Sequence, residues 1–331
     1  MNVRKGHLMR ILVVGAGATG GYFGGLLARA GRDVTFLVRP TRAEALRESG
    51  LTVTGVGGEW TIKPNLVTPE ELSADRPAAA DTTTTADADS AYDVVLLSVK
   101  AYSLNDAIDD VAPAVGPDTV VVPGLNGLAH MDVLDEKFGR HRVLGGVMYV
   151  ATTLDDTGRI VQLNPGLNAL TWGARDDADA DRAAALVPDF TDAGFTARNS
   201  SHIELAMWEK WINLGSLGAI TCLMRGTIGE IASAHGGIAY ADGVIDECIA
   251  VAAAYGFAIR PDVAARAHTS LTDPTSGLTS SMYRDLSAGR RTEADHIIGD
   301  LIARAQSKDV DVPLLEIAYT NLSVHQRRLA H

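Results

Sequence analysis

An apolar strand that runs directly into spaced glycines constrains this chain more than any other feature. Residues 9–14 read Met-Arg-Ile-Leu-Val-Val and lead into Gly15-Ala16-Gly17-Ala18-Thr19-Gly20, with a helical pattern over residues 21–30. Gly15 permits a tight turn, Gly17 lets the backbone approach a pyrophosphate, and Gly20 lets the following helix pack closely on the sheet. The free amides at the helix start then aim at the phosphates. The glycine spacing alone is a weak signal, but strand, glycines, helix and second strand in this order are a much stronger one. The second strand, residues 33–38, is followed by Arg39. An acid roughly 20 residues past the glycines would bind the ribose hydroxyls of NAD, whereas an arginine there pairs with a 2′-phosphate. With Arg42 nearby, the expected cofactor is NADP, as NADPH; an ordinary surface arginine is the alternative.

The chain has 331 residues, 46% of them hydrophobic, which suits about two domains each with its own core. Its 29 basic and 41 acidic residues leave a net charge of −12, unfavourable for nucleic acid or an acidic membrane surface. No apolar run is long enough for a membrane span, and no basic-then-apolar leader precedes Met9. A soluble, cytoplasmic protein is expected. Any anionic cofactor or substrate must be held by a few local cations. Cys222 and Cys248 lie in apolar helical stretches and read as buried reduced thiols. The nine histidines show no HExxH or paired-cysteine spacing, so no metal site is expected.

Residues 1–8 read as a loosely ordered tail. From residue 9 to about 174 strands alternate with helices. Strands are expected at 33–38, 51–54, 60–63, 92–100, 119–123, 145–153 and 160–172, and helices from 42, near 104–111 and around 181–193. A last strand is expected at 195. Such alternation indicates a parallel sheet covered on both faces. Residues 77–91, with a Thr/Asp/Ala-rich run, read as a flexible insertion. Beyond residue 200 the periodicity becomes helical over 203–224, 237–255 and 292–308, with Gly256 suited to a helix C-cap. The fold class is therefore α/β: an N-terminal Rossmann-type doubly wound domain over 9–200, then a mainly α-helical domain over 201–331.

In a doubly wound sheet, ligands bind outside the carboxyl ends of the strands. Lys100 and Asn126 follow two such strands, and Gly127 frees the turn at Asn126; a solvated lysine and a turn-forming asparagine are the plain alternatives. Lys210 interrupts a helix that is apolar over most of its circumference, and helical spacing aligns it with Asn213, Leu214 and Leu217. Snorkelling at a helix edge is one reading. Projection into a partly dry cleft is the other, and desolvation would then lower the lysine's pKa and favour proton donation near neutral pH. Thr292 and Asp295 resemble an N-cap and its capping-box acid, which places Glu293 in the first helical turn. There it suits accepting a hydrogen bond from a substrate hydroxyl, or simply stabilising the helix start.

Together these residues resemble the ketopantoate reductase family over nearly the whole chain. The resemblance rests on GAGATG at 15–20, Ser98-Val-Lys100-Ala, Asn126-Gly127, Trp208-Glu-Lys210, and Ser280-Ser281-Met with Asp285 and Gly289-Arg-Arg-Thr-Glu293. It implies NADPH-dependent reduction of 2-dehydropantoate to D-pantoate, on the route to pantothenate and coenzyme A. It further implies Lys210 as general acid, Glu293 on the reacting oxygen, Asn126 and Ser281 holding the keto acid, and Lys100 beside the cofactor. Substrate is then expected between the two domains. Family members commonly carry Asn four and eight residues after the lysine, and another beyond the glutamate. Here those positions are Leu214, Gly218 and Ile298. Asn213, another candidate substrate contact, is one position early, a rotation of about 100° around a helix. A different 2-keto or 3-keto acid is the competing substrate class. A non-catalytic NADP sensor is the competing function, and it would not need Lys210 or Glu293. The apolar helices at 203–224 and 237–255 would also suit a homodimer.

Overall fold

The computed structural model describes residues 9–55, 57–74 and 91–329. The expected tail at 1–8, and all of the expected insertion except Ala91, lie outside the described residues. The chain divides into two compact units, one of residues up to Leu125 with Met131–Ile203, the other of Asn126–His130 with Glu204 onward.

Up to residue 74 the elements are β1 (Arg10–Val14), α1 (Ala18–Arg29), β2 (Asp33–Leu37), α2 (Pro40–Ser49), β3 (Leu51–Gly55), β4 (Gly58–Ile62), β5 (Asn65–Val67) and α3 (Pro69–Ala74). Then come β6 (Tyr92–Leu97), α4 (Leu104–Val111), β7 (Val115–Pro123), α5 (Ala129–Phe138), β8 (Gly145–Leu154), β9 (Ile160–Gly173), α6 (Ala180–Ala184), α7 (Val187–Phe190) and β10 (Thr196–Asn199). Five strands form an all-parallel sheet in the order β5-β2-β1-β6-β7. The order steps outward from β1 in both directions, so the carboxyl ends of β1 and β6 flank the switch point where doubly wound sheets bind ligands. Ile11–Val14 and Val94–Leu97 are buried, as strands covered on both faces must be.

By periodicity alone the strands at 51–54, 60–63, 145–153 and 160–172 belong to that same alternation. The structure separates them: β10-β9-β3-β4, with β8 on β9, form a second, mixed sheet. Its β3–β4 and β8–β9 pairs are antiparallel, and much of β9 is exposed, as for a sheet with one solvated face. Strand pairing is non-local, which local periodicity does not encode. The helix expected around 181–193 is two short ones, with Pro188 near the start of the second.

Helix α1 lies between the two sheets, which explains its four glycines. A Cβ on Gly24 would come within 2.6 Å of Phe36 and 2.9 Å of Val13 in the parallel sheet. On the opposite side, Cβ atoms on Gly21 and Gly25 would meet Ile160 at 2.6 Å and Trp60 at 2.9 Å. Each helical glycine costs about 1 kcal/mol against alanine; close packing on both faces offsets it. The core includes Phe23, Leu27, Phe36, Trp172 and Phe190.

The second unit is helical: α8 (Ile203–Met224), α9 (Ile228–Ser233), α10 (Gly237–Ala254), α11 (Pro261–Leu271), α12 (Ser281–Ser287), α13 (Asp300–Gln306) and α14 (Pro313–Leu329). Gly256, at φ +85°, ends α10 in a Schellman arrangement: its N–H donates to the Ala253 carbonyl and that of Phe257 to Ala252. Cys222 and Cys248 are buried free thiols, each pushed up to about 12 chiefly by burial. Among the described residues no helix is long and apolar enough to cross a membrane.

The expected helix at 292–308 instead opens with a π-helical segment, Asp295–Gly299, before α13. The capping box does not form. Thr292 Oγ1 accepts from Gln326 at 3.4 Å, and the Asp295 carboxylate accepts from the Tyr319 hydroxyl at 2.8 Å. Glu293 therefore precedes the helix rather than sitting in its first turn; its carbonyl accepts from the His296 and Ile297 amides. Tertiary partners on α14 outcompete the local cap.

Candidate active site

In the first unit, β1 delivers the chain into a cradle built from backbone. Gly15 has φ +93°, its N–H donates to the Leu37 carbonyl at 3.0 Å, and a Cβ there would lie 2.9 Å from the Ser98 carbonyl oxygen. The loop thus turns directly over the end of β6. A Cβ on Gly20 would collide with the Gly15 carbonyl, so the first turn of α1 sits tight against the loop. Gly17, at the N-cap of α1, has nothing within 4 Å of a notional Cβ, and no side chain caps the helix. Ala16 completes the loop and Ala18 and Thr19 open α1, with open space at the helix N-terminus, which fits the pyrophosphate of a dinucleotide.

Arg39 stands at the end of β2 as the N-cap of α2. Its guanidinium is 3.3 Å from the Asp106 carboxylate, in an exposed pair. Arg42 is engaged elsewhere. It is half-buried and donates to the Ala16 carbonyl at 3.3 Å and the Gly158 carbonyl at 3.0 Å, bracing the glycine loop. Lys100 is exposed after β6, at the start of a short 3₁₀ turn.

In the second unit, Lys210 lies on α8 and is only 9% exposed. Burial lowers its pKa from 10.5 to about 8, and the nearby Glu293 charge pulls the other way. Glu293 is itself buried. A tertiary hydrogen bond ties their two elements together: Trp211, beside Lys210, donates its indole N–H to the Ile297 carbonyl at 2.9 Å. The Asn126-Gly127 turn meets the same junction. Gly127 has φ +77°, and a Cβ there would collide with the His296 carbonyl and come within 3.7 Å of Trp211 Nε1. The partly buried Asn126 is thereby held beside the segment carrying Glu293. The arrangement provides an ammonium that loses its proton near pH 8, with a carboxylate beside it, in a largely dry setting.

Of the serine pair, Ser280 is the buried one. Its Oγ accepts from the Tyr283 amide at 2.9 Å as the N-cap of α12 and meets Thr221 Oγ1 at 2.9 Å. Ser281, the first helical residue, is exposed. Asn213 is partly buried on α8. At the remaining positions around Lys210, a Cβ on Gly218 would collide with the Met282 side chain, and Ile298 is fully buried. Both places are therefore occupied by apolar packing.

Sequence reasoning missed Glu209. Its buried carboxylate takes Arg260 Nε at 2.8 Å and Nη2 at 2.5 Å, a bidentate clamp beside Lys210. An acid inside a nearly all-apolar helix was the available signal, but its partner lies 51 residues away.

Residues 11–176 match the family model described as Ketopantoate reductase PanE/ApbA, and residues 202–326 match that of its C-terminal part. The chain is 32% identical over 318 residues to the uncharacterized oxidoreductase YkpB of Bacillus subtilis, covering 96% of this chain and 99% of that protein. It is 25% identical over 307 residues to 2-dehydropantoate 2-reductase of Streptococcus pyogenes serotype M3, covering 92% and 94%. The crystal structure of 2-dehydropantoate 2-reductase from Geobacter metallireducens superposes with a TM-score of 0.82 at 27% identity, covering 95% of this chain and 99% of that one. The chain belongs to the ketopantoate reductase family of NAD(P)-dependent oxidoreductases.

Proposed function

We propose that this protein reduces 2-dehydropantoate to D-pantoate with NADPH, a step toward pantothenate and coenzyme A, with Lys210 as the general acid. The observation that carries the reading is the buried Lys210 beside Glu293, with a pKa of about 8. A donor near the working pH combines the correct protonation state with a strong tendency to give up its proton. Two matched relatives named 2-dehydropantoate 2-reductase support the substrate class.

In this reading residues 9–200 hold the cofactor, with residues 15–20 on its pyrophosphate, Arg39 on the 2′-phosphate and Lys100 alongside. The reduced dinucleotide, when bound, supplies hydride to the ketone carbon. Residues 201–331, with Asn126, handle the keto acid. Lys210 stabilises the developing alkoxide and protonates it. Glu293 accepts a hydrogen bond from the resulting hydroxyl and keeps a negative charge near Lys210, which favours the ammonium form. Asn126, Asn213 and Ser281 orient the substrate as neutral donors.

The test is loss of nicotinamide absorbance when purified protein is mixed with NADPH and 2-dehydropantoate. The loss should vanish in Lys210→Ala while NADPH binding persists. Tight NADPH binding without oxidation across a panel of keto acids would sink the reading. The apolar packing at Gly218 and Ile298 favours one second reading, a different 2-keto or 3-keto acid on the same machinery. A higher kcat/KM for another acid in the panel would select it.

A further inference from the structure

The Arg39 guanidinium does not face solvent alone. Asp106, in the first turn of α4, is 3.3 Å from it, and the two side chains are 69% and 75% exposed. Asp110, one turn further along α4, also feels Arg39, and Asp106, Glu70 and Asp109 all act on Asp110 as like charges. Burial first, then Asp106, holds Asp110 above the usual carboxylate range while Arg39 pulls it down. The positive charge at the end of β2 thus has Asp106 as its ion-pair partner, with Asp110 within its electrostatic reach. A phosphate that hydrogen-bonds this guanidinium must come within one guanidinium's breadth of the Asp106 carboxylate. At neutral pH a phosphate monoester carries about −1.5 to −2, so the approach is repulsive as well as attractive. A ribose hydroxyl meets no such repulsion.

We propose that Asp106 is a cofactor-discriminating residue, which offsets Arg39 and limits the protein's preference for a 2′-phosphorylated dinucleotide over its unphosphorylated counterpart. The proposal rests on Arg39 as the 2′-phosphate partner. Asp106 does not touch the reacting atoms; it acts through Arg39 and through its own charge. Because the pair is exposed, its effect is screened by salt.

The experiment measures dissociation constants of NADPH, NADH, 2′,5′-ADP and 5′-AMP by calorimetry for wild type, Arg39→Ala, Asp106→Asn and Asp109→Asn. Asp109 lies on the same helix and pairs with Lys137 at 3.0 Å, so its substitution removes the same net charge from a different place. Asp106→Asn should tighten NADPH and 2′,5′-ADP by roughly 3- to 10-fold at low salt, and leave NADH and 5′-AMP within about twofold. The gain should shrink at about 0.5 M salt, and Asp109→Asn should not reproduce it. An equal change for all four ligands, no change, or the same gain from Asp109→Asn overturns the proposal. Arg39→Ala separates the two layers. If it weakens only the 2′-phosphorylated ligands while Asp106→Asn is without selective effect, the role of Asp106 alone fails. If it weakens all four alike, the Arg39 reading fails and the proposal falls with it.

Discussion

Trp211 donates its indole N–H to the carbonyl of Ile297, joining the helix that carries Lys210 to the π-helical segment that follows Glu293. Two residues far apart in sequence are thereby fixed as neighbours in a dry environment. Trp211→Phe keeps most of the apolar contact but removes this buried hydrogen bond. A loss of about 0.5–1.5 kcal/mol in unfolding free energy is expected by chemical denaturation, with kcat falling more than cofactor affinity.

The pH dependence of turnover has a defined sign. Lys210 must be protonated to act as an acid, so kcat/KM should fall as pH rises through about 8. The Glu293 carboxylate raises the lysine's pKa, so Glu293→Gln should move that descending limb to lower pH. A limb that stays in place, or moves up, would separate the activity from this pair.

Stability carries a linked signature. Because Lys210 is easier to deprotonate when folded, the folded state binds fewer protons than the unfolded state between about pH 8 and the ordinary lysine value of 10.5. The cost of burying its charge is full below pH 8 and disappears as pH rises through that window. Lys210→Met removes that cost but leaves Glu293 buried without the ammonium, so its stability relative to wild type should be higher at pH 7 than at pH 10.5 by about 1–3 kcal/mol. Paired denaturation curves for wild type and variant at the two pH values measure it.

Glu209 and Arg260 form an asymmetric clamp, the carboxylate buried and the guanidinium 58% exposed. Arg260→Ala leaves a buried charge without its bidentate partner and should cost about 1–3 kcal/mol, below the 3–5 typical of fully buried pairs because solvent reaches the arginine site. The shift of the denaturation midpoint reads it directly.

Two glycines of one loop should respond differently to the same change. Gly17→Ala meets no protein atom within 4 Å and has φ −83°, which alanine tolerates. Stability should stay within about 1 kcal/mol while dinucleotide affinity drops by roughly 10- to 100-fold, because the methyl enters the space a pyrophosphate needs. Gly20→Ala collides with the Gly15 carbonyl, so it should lower stability as well, by about 1–3 kcal/mol. Calorimetric titration and thermal unfolding of both variants separate the effects.

The glycine cradle, the strand and helix alternation, the long helix over residues 203–224 and the lysine set within it were legible because each rests on short-range chemistry; that Glu293 belongs with Lys210 was implied only by the family resemblance. Spacing of 3.6 or 2 residues, a glycine where no Cβ fits, and a lone cation in an apolar helix are local statements. The second sheet was not legible, since β3, β8 and β9 have strand patterns that do not say which partner they take. Nor was the broken start of the helix after Glu293. Thr292 and Asp295 have cap-forming side chains, but Gln326 and Tyr319 from α14 claim them.

The sequence by itself therefore determined the glycine-rich loop after β1, the helical character of the second unit and the cast of ionisable residues. Only the tertiary structure decided that Arg42 braces the loop while Arg39 meets Asp106, that Ser280 is buried while Ser281 is exposed, and that Lys210 loses enough water to bring its pKa to about 8. The reason is physical. Backbone conformation follows mainly from neighbours along the chain, whereas charge, hydration and proton affinity follow from neighbours in space.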